Sequence, residues 1–188
     1  MEEIVAHLKN RKGWIDGLTV TGGEPTIRKD LPEFLVLFRQ LHLEIKLDTN
    51  GSHPDMVERL LTLGLVDSVY MDVKAPLTIG EYSRVAGVPV DVSAIKRSIE
   101  ILKQSRLEVA FRTTVIPGRV EEAEVESIRE SLGDVRRYII QAFRNHETLS
   151  PEFGGLAPFD QGRIDEMRRR FEIPTRVPFR AASYACAG

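Results

Sequence analysis

The stretch LEIKLDTNGS, residues 43–52, carries two patterns at once. Ile45 and Leu47 alternate with Lys46, Asp48 and Asn50. Successive side chains of a strand point to opposite faces, so the stretch predicts a strand with one apolar and one ionic face. The dipeptide Asn50-Gly51 closes it as a turn. A strand buried on both sides would be apolar throughout. The same division recurs downstream. In VDSVYMDVKAP (66–76), Tyr70, Asp72 and Lys74 oppose Val69, Met71 and Val73. In LEVAFRTTVIPG (107–118), Arg112 and Thr114 oppose Val109, Phe111 and Val115.

GLTVTGG (17–23) and RRYIIQAFR (136–144) complete five predicted strands. Helical periods lie around them, at 2–12, 30–41, 54–64, 92–105, 121–133 and 160–171, while 77–91 reads as a long connection. In the second helix Asp30 and Glu33 form a candidate capping box, and Pro32 suits the first turn. Strand–helix alternation at this spacing predicts βαβ units and a parallel sheet, with right-handed crossovers placing helices on its faces. One side of the sheet then packs helices and the other is ionic. In a flat sheet that side meets solvent. In a curled one it lines a cavity for a polar ligand, as in a partial (β/α) barrel, where ligands sit at the C-terminal strand ends.

The chain has 188 residues, enough for one domain. We read 1–145 as a partial barrel and 146–188 as a C-terminal extension of the same domain with one helix. A net charge of −2 gives no global electrostatic case for nucleic acid or an anionic membrane. Arg168, Arg169 and Arg170 sit beside Asp165, Glu166 and Glu172 and read as a solvated helix face. No apolar run approaches the roughly 20 residues that span a bilayer, and the first residues lack the apolar core of a signal peptide. One cysteine, Cys186, rules out an internal disulfide framework and any multi-cysteine metal site built from this chain alone. The expected compartment is the cytoplasm.

VTGGEPTIRKDLP (20–32) follows the first strand. Gly22 and Gly23 let main-chain groups approach a ligand and adopt positive φ. Pro25 fixes the exit and restricts Glu24 to an extended conformation. The turn suits a small polar group held by backbone atoms. Neither GxGxxG nor GxxxxGK[ST] occurs, so a phosphate cradle is disfavoured.

Taken together, TGGEPTI, DTNGS, MDVKAP and RTTVIPG on four consecutive strand ends resemble the radical S-adenosylmethionine (SAM) superfamily. Within it they are most similar to glycyl-radical activating enzymes, both of pyruvate formate-lyase and of anaerobic ribonucleoside-triphosphate reductase, with MDVKAP favouring the second. The resemblance runs from about residue 2 to residue 145. It implies that Gly22, Gly23, Glu24 and Pro25 hold the methionine amino group of SAM. Asp48 and Asn50 match residues facing SAM from the second strand end. Asp72 and Lys74 match charged residues near its methionine and ribose, and Arg112 a base near its carboxylate, which favours a bidentate donor. The implied cofactors are SAM and a [4Fe–4S] cluster. The implied chemistry is oxidoreductase chemistry in which a 5′-deoxyadenosyl radical takes a hydrogen from a glycine. The implied partners are a glycyl-radical enzyme and an electron donor such as flavodoxin or ferredoxin. Alternatives are a radical SAM reaction on a small molecule or peptide, and a non-catalytic SAM-binding module.

One departure stands against the resemblance. The family's CxxxCxxC loop is missing, and a single thiol cannot replace three. The chain also opens on a helix where a barrel opens on a strand. The expected fold is therefore an α/β partial (β/α)6 barrel lacking its first strand and cluster loop, an N-terminally truncated and inactive chain with an exposed sheet edge. Plainer readings stand beside these. Asp48, Asp72 and Lys74 could be surface charges or a barrel-interior ion pair with no ligand. Arg112 could pair with Glu108 or another acid. His7, His42, His53 and His146 show no ligand spacing and read as surface residues. Cys186 reads as incidental, and 141–153 as either a cavity wall, a docking segment or an ordinary strand exit.

Overall fold

The computed structural model describes residues 7–8, 11, 14–145 and 154–174. Five strands form one parallel sheet: β1 (Gly17–Val20), β2 (Glu44–Thr49), β3 (Ser68–Asp72), β4 (Glu108–Val115) and β5 (Tyr138–Ala142). Their spatial order equals their chain order. Right-handed crossovers that all step one way put every intervening helix on one face. A doubly wound sheet reverses its order at a switch point, and this one does not.

The helices are α1 (Leu31–Arg39), α2 (Pro54–Thr62), α3 (Ile79–Ala86), α4 (Val92–Gln104), α5 (Glu122–Leu132) and α6 (Gln161–Phe171). A short 3-10 turn, Pro25–Ile27, precedes α1. Strand alternation sets the core. Ile45, Leu47, Val69, Met71, Phe111, Val115, Tyr138 and Ile140 are buried against the helices. The helices answer at their own period, for example Val125, Ile128 and Leu132 of α5. Lys46, Asp48, Asn50, Tyr70, Asp72, Arg112 and Thr114 stay partly accessible on the other face.

Asp67, just before β3, ties three elements. Its carboxylate accepts the Ile45 N–H (2.7 Å) and both contacts from Arg39 at the end of α1 (2.7 and 2.9 Å). At the far edge, Tyr138 and Ile173 exchange backbone hydrogen bonds (3.1 and 3.0 Å), and the Glu172 carboxylate accepts the Ile140 N–H (2.8 Å). The segment after α6 is thereby fastened to β5. Among the described residues β1 has only β2 as a strand neighbour. No described helix is long and apolar enough to cross a membrane.

Two expectations need correction. The connection 77–91 contains α3, whose single buried residue is Tyr82 and which carries Gly80 inside it, so no apolar stripe announces it. Asp30 does not cap α1. The Arg28 guanidinium, two residues away, takes its carboxylate (2.6 and 3.1 Å), and Glu33 turns to Arg59 (3.1 Å). A charge-assisted bidentate pair outcompetes a neutral N–H. The arginine run of α6 lies on a solvated face, where Arg168 meets Asp165 and Glu172, and Arg170 meets Glu122 and Glu126. Of the helix expected at 2–12, residues 7 and 8 are helical and most others lie outside the described residues. His146, Cys186 and most of 141–153 also lie outside them.

Candidate functional site

Three neighbouring strands bring their charges together on the face opposite the packed core. Register sets Asp48 beside Tyr70 and Asp72 beside Arg112. Arg112 donates from Nε to Asp72 (2.8 Å) and from Nη1 to Asp48 (3.2 Å). Lys46 donates to the other Asp48 oxygen (2.7 Å). The Arg112, Asp48 and Asp72 side chains are 13%, 17% and 36% exposed, so solvent screens the row only in part. Two acids and two bases balance, and such a row contributes little net stability. Two contacts use two of the five guanidinium donors.

One step toward the amino ends of the strands, the Tyr70 ring sits among Lys46 (4.5 Å), Arg137 (5.3 Å) and Arg112 (5.7 Å), a cation–π cluster. Its hydroxyl meets Glu108 (3.1 Å) and Arg137, and Glu108 also accepts from Arg137 (2.9 Å). Burial pushes the Tyr70 phenol above its ordinary pKa, with the Glu108 charge adding to it. Glu108 therefore serves Arg137 and not Arg112.

The rim is built by turns. Gly22 (φ 96°) and Gly23 (φ 53°) both occupy the left-handed region at the end of β1. A Cβ on either would meet no atom within 4 Å. Backbone conformation requires the glycines, and the space beside them is open. Glu24 turns inward. Its Oε1 accepts the Thr26 N–H (3.1 Å), the Thr26 hydroxyl (2.5 Å) and the Thr49 hydroxyl (2.7 Å), and its Oε2 accepts the Asn50 N–H (2.6 Å). Pro25 is buried beneath this turn. Asn50 Oδ1 accepts the Ser52 N–H (2.9 Å).

At the end of β3, Lys74 is exposed and its N–H donates to the Tyr82 hydroxyl (3.2 Å). The Val73 carbonyl accepts from Thr113 (2.8 Å), whose hydroxyl accepts from Tyr138 (2.8 Å). Burial pushes the Tyr82 and Tyr138 phenols up to about 12. A cleft of about 100 Å³ opens here, lined by Asp72, Lys74, Arg112 and Thr114 with Val85 and Ile116. At ~30 Å³ per water it admits one small ionic group. A larger hollow of about 360 Å³ lies at the amino ends of the strands, where Lys46, Tyr70, Glu108 and Arg137 already satisfy one another.

Asp48, Asp72 and Arg112 are thus in direct contact. Glu24 and Asn50 join through the backbone, Gly22 and Gly23 form the lip, Pro25 supports it, and Lys74 stands at the outer end of the cleft. Sequence reasoning missed Arg137 and Tyr82. Alternation of Arg137, Ile139 and Gln141 against Tyr138 and Ile140 could have found the first. An open row of acids and bases beside an amide and a glycine turn suits a zwitterionic ligand. Among the described residues no group of three or more His, Cys, Asp or Glu could hold a metal ion.

The family model described as the Radical SAM superfamily matches residues 1–131. A Methanocaldococcus jannaschii protein assigned as a glycyl-radical enzyme activating enzyme is 30% identical over 157 residues, covering 81% of this chain and 65% of that protein. The 7-carboxy-7-deazaguanine synthase of Geobacter sulfurreducens is 38% identical over 171 residues, covering 89% and 63%. The chain thus spans less than two thirds of the length of both curated relatives. A structure of TYW1 with a lysine-pyruvate adduct bound matches with a TM-score of 0.65 at 19% identity, over 83% of this chain and 49% of that one. A domain of pyruvate-formate lyase-activating enzyme from Bacteroides vulgatus matches with a TM-score of 0.57 at 19% identity, over 82% and 94%. At these identities the structural likeness concerns the fold.

Proposed function

We propose, from the premise that this chain belongs to the radical SAM superfamily, that its polar strand ends bind SAM. The superfamily's cofactors are SAM and a [4Fe–4S] cluster. The observation that carries the reading is Arg112 drawing Asp48 and Asp72 together from three neighbouring strands beside the open Gly22–Gly23 turn. The donor set fits SAM. Arg112 and Lys74 suit a carboxylate, Asp48 and Asp72 suit an ammonium group or ribose hydroxyls, and the Asn50 amide suits either kind of partner. Main-chain groups of Gly22 and Gly23 can approach the amino-acid end without a Cβ in the way. Bound SAM supplies the 5′-deoxyadenosyl group that the family's radical chemistry uses.

The cluster does not fit these residues. Three thiolates are needed for a CxxxCxxC site, and Cys186 is the single cysteine of the 188 residues. The polypeptide as it stands binds SAM without cleaving it. Working with a cluster that other residues hold, the substrate class would be the backbone glycine of a glycyl-radical enzyme, of the anaerobic ribonucleotide reductase or pyruvate formate-lyase kind, with flavodoxin or ferredoxin as electron donor. The relative from M. jannaschii supports that choice. A second reading, a reaction on a small molecule, is favoured by the higher identity to the deazaguanine synthase.

Calorimetry with SAM tests the site. Arg112→Ala and Asp48→Ala should each weaken binding about tenfold or more, the loss expected for a charge-assisted hydrogen bond. Unchanged affinity in both variants overturns the assignment. With SAM present, binding of a peptide spanning a glycyl-radical enzyme's glycine loop supports the activase reading. Binding of a 7-deazaguanine in its place supports the second.

A further inference from the structure

The turn Thr49–Ser52 is gripped from opposite sides. On the polar side, Glu24 accepts the Thr49 hydroxyl and the Asn50 N–H (2.7 and 2.6 Å). On the helix side, Ser98 of α4 donates its hydroxyl to the Gly51 carbonyl (2.7 Å) across 47 positions of sequence. Ser98 is 0% exposed and shares its face with Ile95, Ile99 and Leu102. A hydroxyl in such company costs stability unless bonded, and Gly51 supplies the bond. Inside the turn, Gly51 N–H donates to the Thr49 hydroxyl (3.1 Å) and Ser52 N–H to Asn50 Oδ1 (2.9 Å).

A carboxylate offers about four lone-pair positions. Glu24 already receives donors from Thr26 twice, Thr49 and Asn50. Three of these bonds fall on Oε1, and the fourth turns Oε2 toward the Asn50 N–H, so the carboxylate is committed to the turn. Ser98 lies on the far side of the sheet from the ligand face and cannot reach a ligand. We propose that Glu24 and Ser98 are positioning residues that clamp the Thr49–Ser52 turn and aim Asn50. This inference rests on the SAM reading above for the identity of the ligand.

Amide hydrogen exchange and SAM calorimetry on the full chain test it. The variants are Ser98→Ala, Ser98→Cys and Glu24→Gln, with Ile128→Val in α5 as a control for general destabilisation. Exchange at Asn50, Gly51 and Ser52 should quicken by about fivefold in Ser98→Ala, the factor one lost hydrogen bond carries, and stay unchanged in the control. Ser98→Cys, with a weaker donor, should fall between. Glu24→Gln presents an amide to the Asn50 N–H and should also loosen the turn. SAM affinity should drop in parallel with exchange across the three site variants and not in Ile128→Val. Unchanged exchange in Ser98→Ala and Glu24→Gln overturns the clamp. Faster exchange with unchanged SAM affinity overturns its positioning role. Failure of the unaltered chain to bind SAM overturns the ligand reading, and exchange alone then decides the clamp.

Discussion

Gly51→Ala probes the centre of the site without removing any polar group. Gly51 has φ 74°, and a Cβ built on it would lie 2.0 Å from Met71 Cε, 2.9 Å from Met71 Sδ and 3.3 Å from Ser98 Cβ. The left-handed conformation costs alanine roughly 1–2 kcal/mol. The overlap falls on a flexible methionine end, but Met71 is 0% exposed and has only packed core to move into. Overpacking of that kind costs roughly 1–3 kcal/mol. The sum is roughly 2–5 kcal/mol, or on the order of 5–15 °C in melting temperature at this chain length. Urea denaturation of a double-mutant cycle isolates the clash. Met71→Ala alone should cost roughly 2–5 kcal/mol as a cavity. In the double variant the new methyl enters space the methionine vacates, so the combined loss should fall short of additivity by about 1–3 kcal/mol. Strict additivity would refute the steric reasoning and leave only the backbone conformation as a cause.

Two further perturbations test the frame. Tyr82 and Tyr138 have folded-state pKa values raised from 10 to about 12 by burial. The neutral phenol is thus favoured in the folded state, so their contribution is complete below about pH 10 and is lost as pH rises through about 12. At two units each, the loss is roughly 2–3 kcal/mol per tyrosine. Phenolate absorbance followed with circular dichroism should show both ionising with unfolding, and Tyr82→Phe should remove about half the effect. Asp67→Ala strands the Ile45 N–H and releases Arg39, which should cost roughly 1–3 kcal/mol by chemical denaturation, most of it from the backbone donor because the ion pair is a third exposed. A loss confined to a few tenths of a kcal/mol would mean that water replaces the carboxylate.

Much of the frame was legible because ionic and apolar residues alternate so plainly in β2, β3 and β4. Lys46, Asp48 and Asn50 could share a face only if the residues between them were buried, and Ile45, Leu47 and Thr49 are. The partners of Arg112 were not legible. Glu108 lies on the same face of its own strand, but register brings Asp72 directly opposite, and Glu108 is taken by Arg137 from β5. The letters of GGEP mark a turn, yet the direction of the Glu24 carboxylate depends on Thr49 and Asn50, more than 20 positions away. Asp30 had the spacing of a cap and lost it to an arginine whose reach no spacing rule includes. Ser98 looked like one more helical serine because the carbonyl it serves belongs to another element. In each case the missing information was a contact distant in sequence.

Sequential strand order has a last consequence. Each βα unit delivers its charged group at a height fixed by hydrogen-bonded register, and the loop that follows has no part in that height. Insertions beyond the strand tips can lengthen, shrink or exchange without moving Asp48, Asp72 or Arg112. What gathers above the strand tips can therefore drift during evolution while the ionic row beneath stays still.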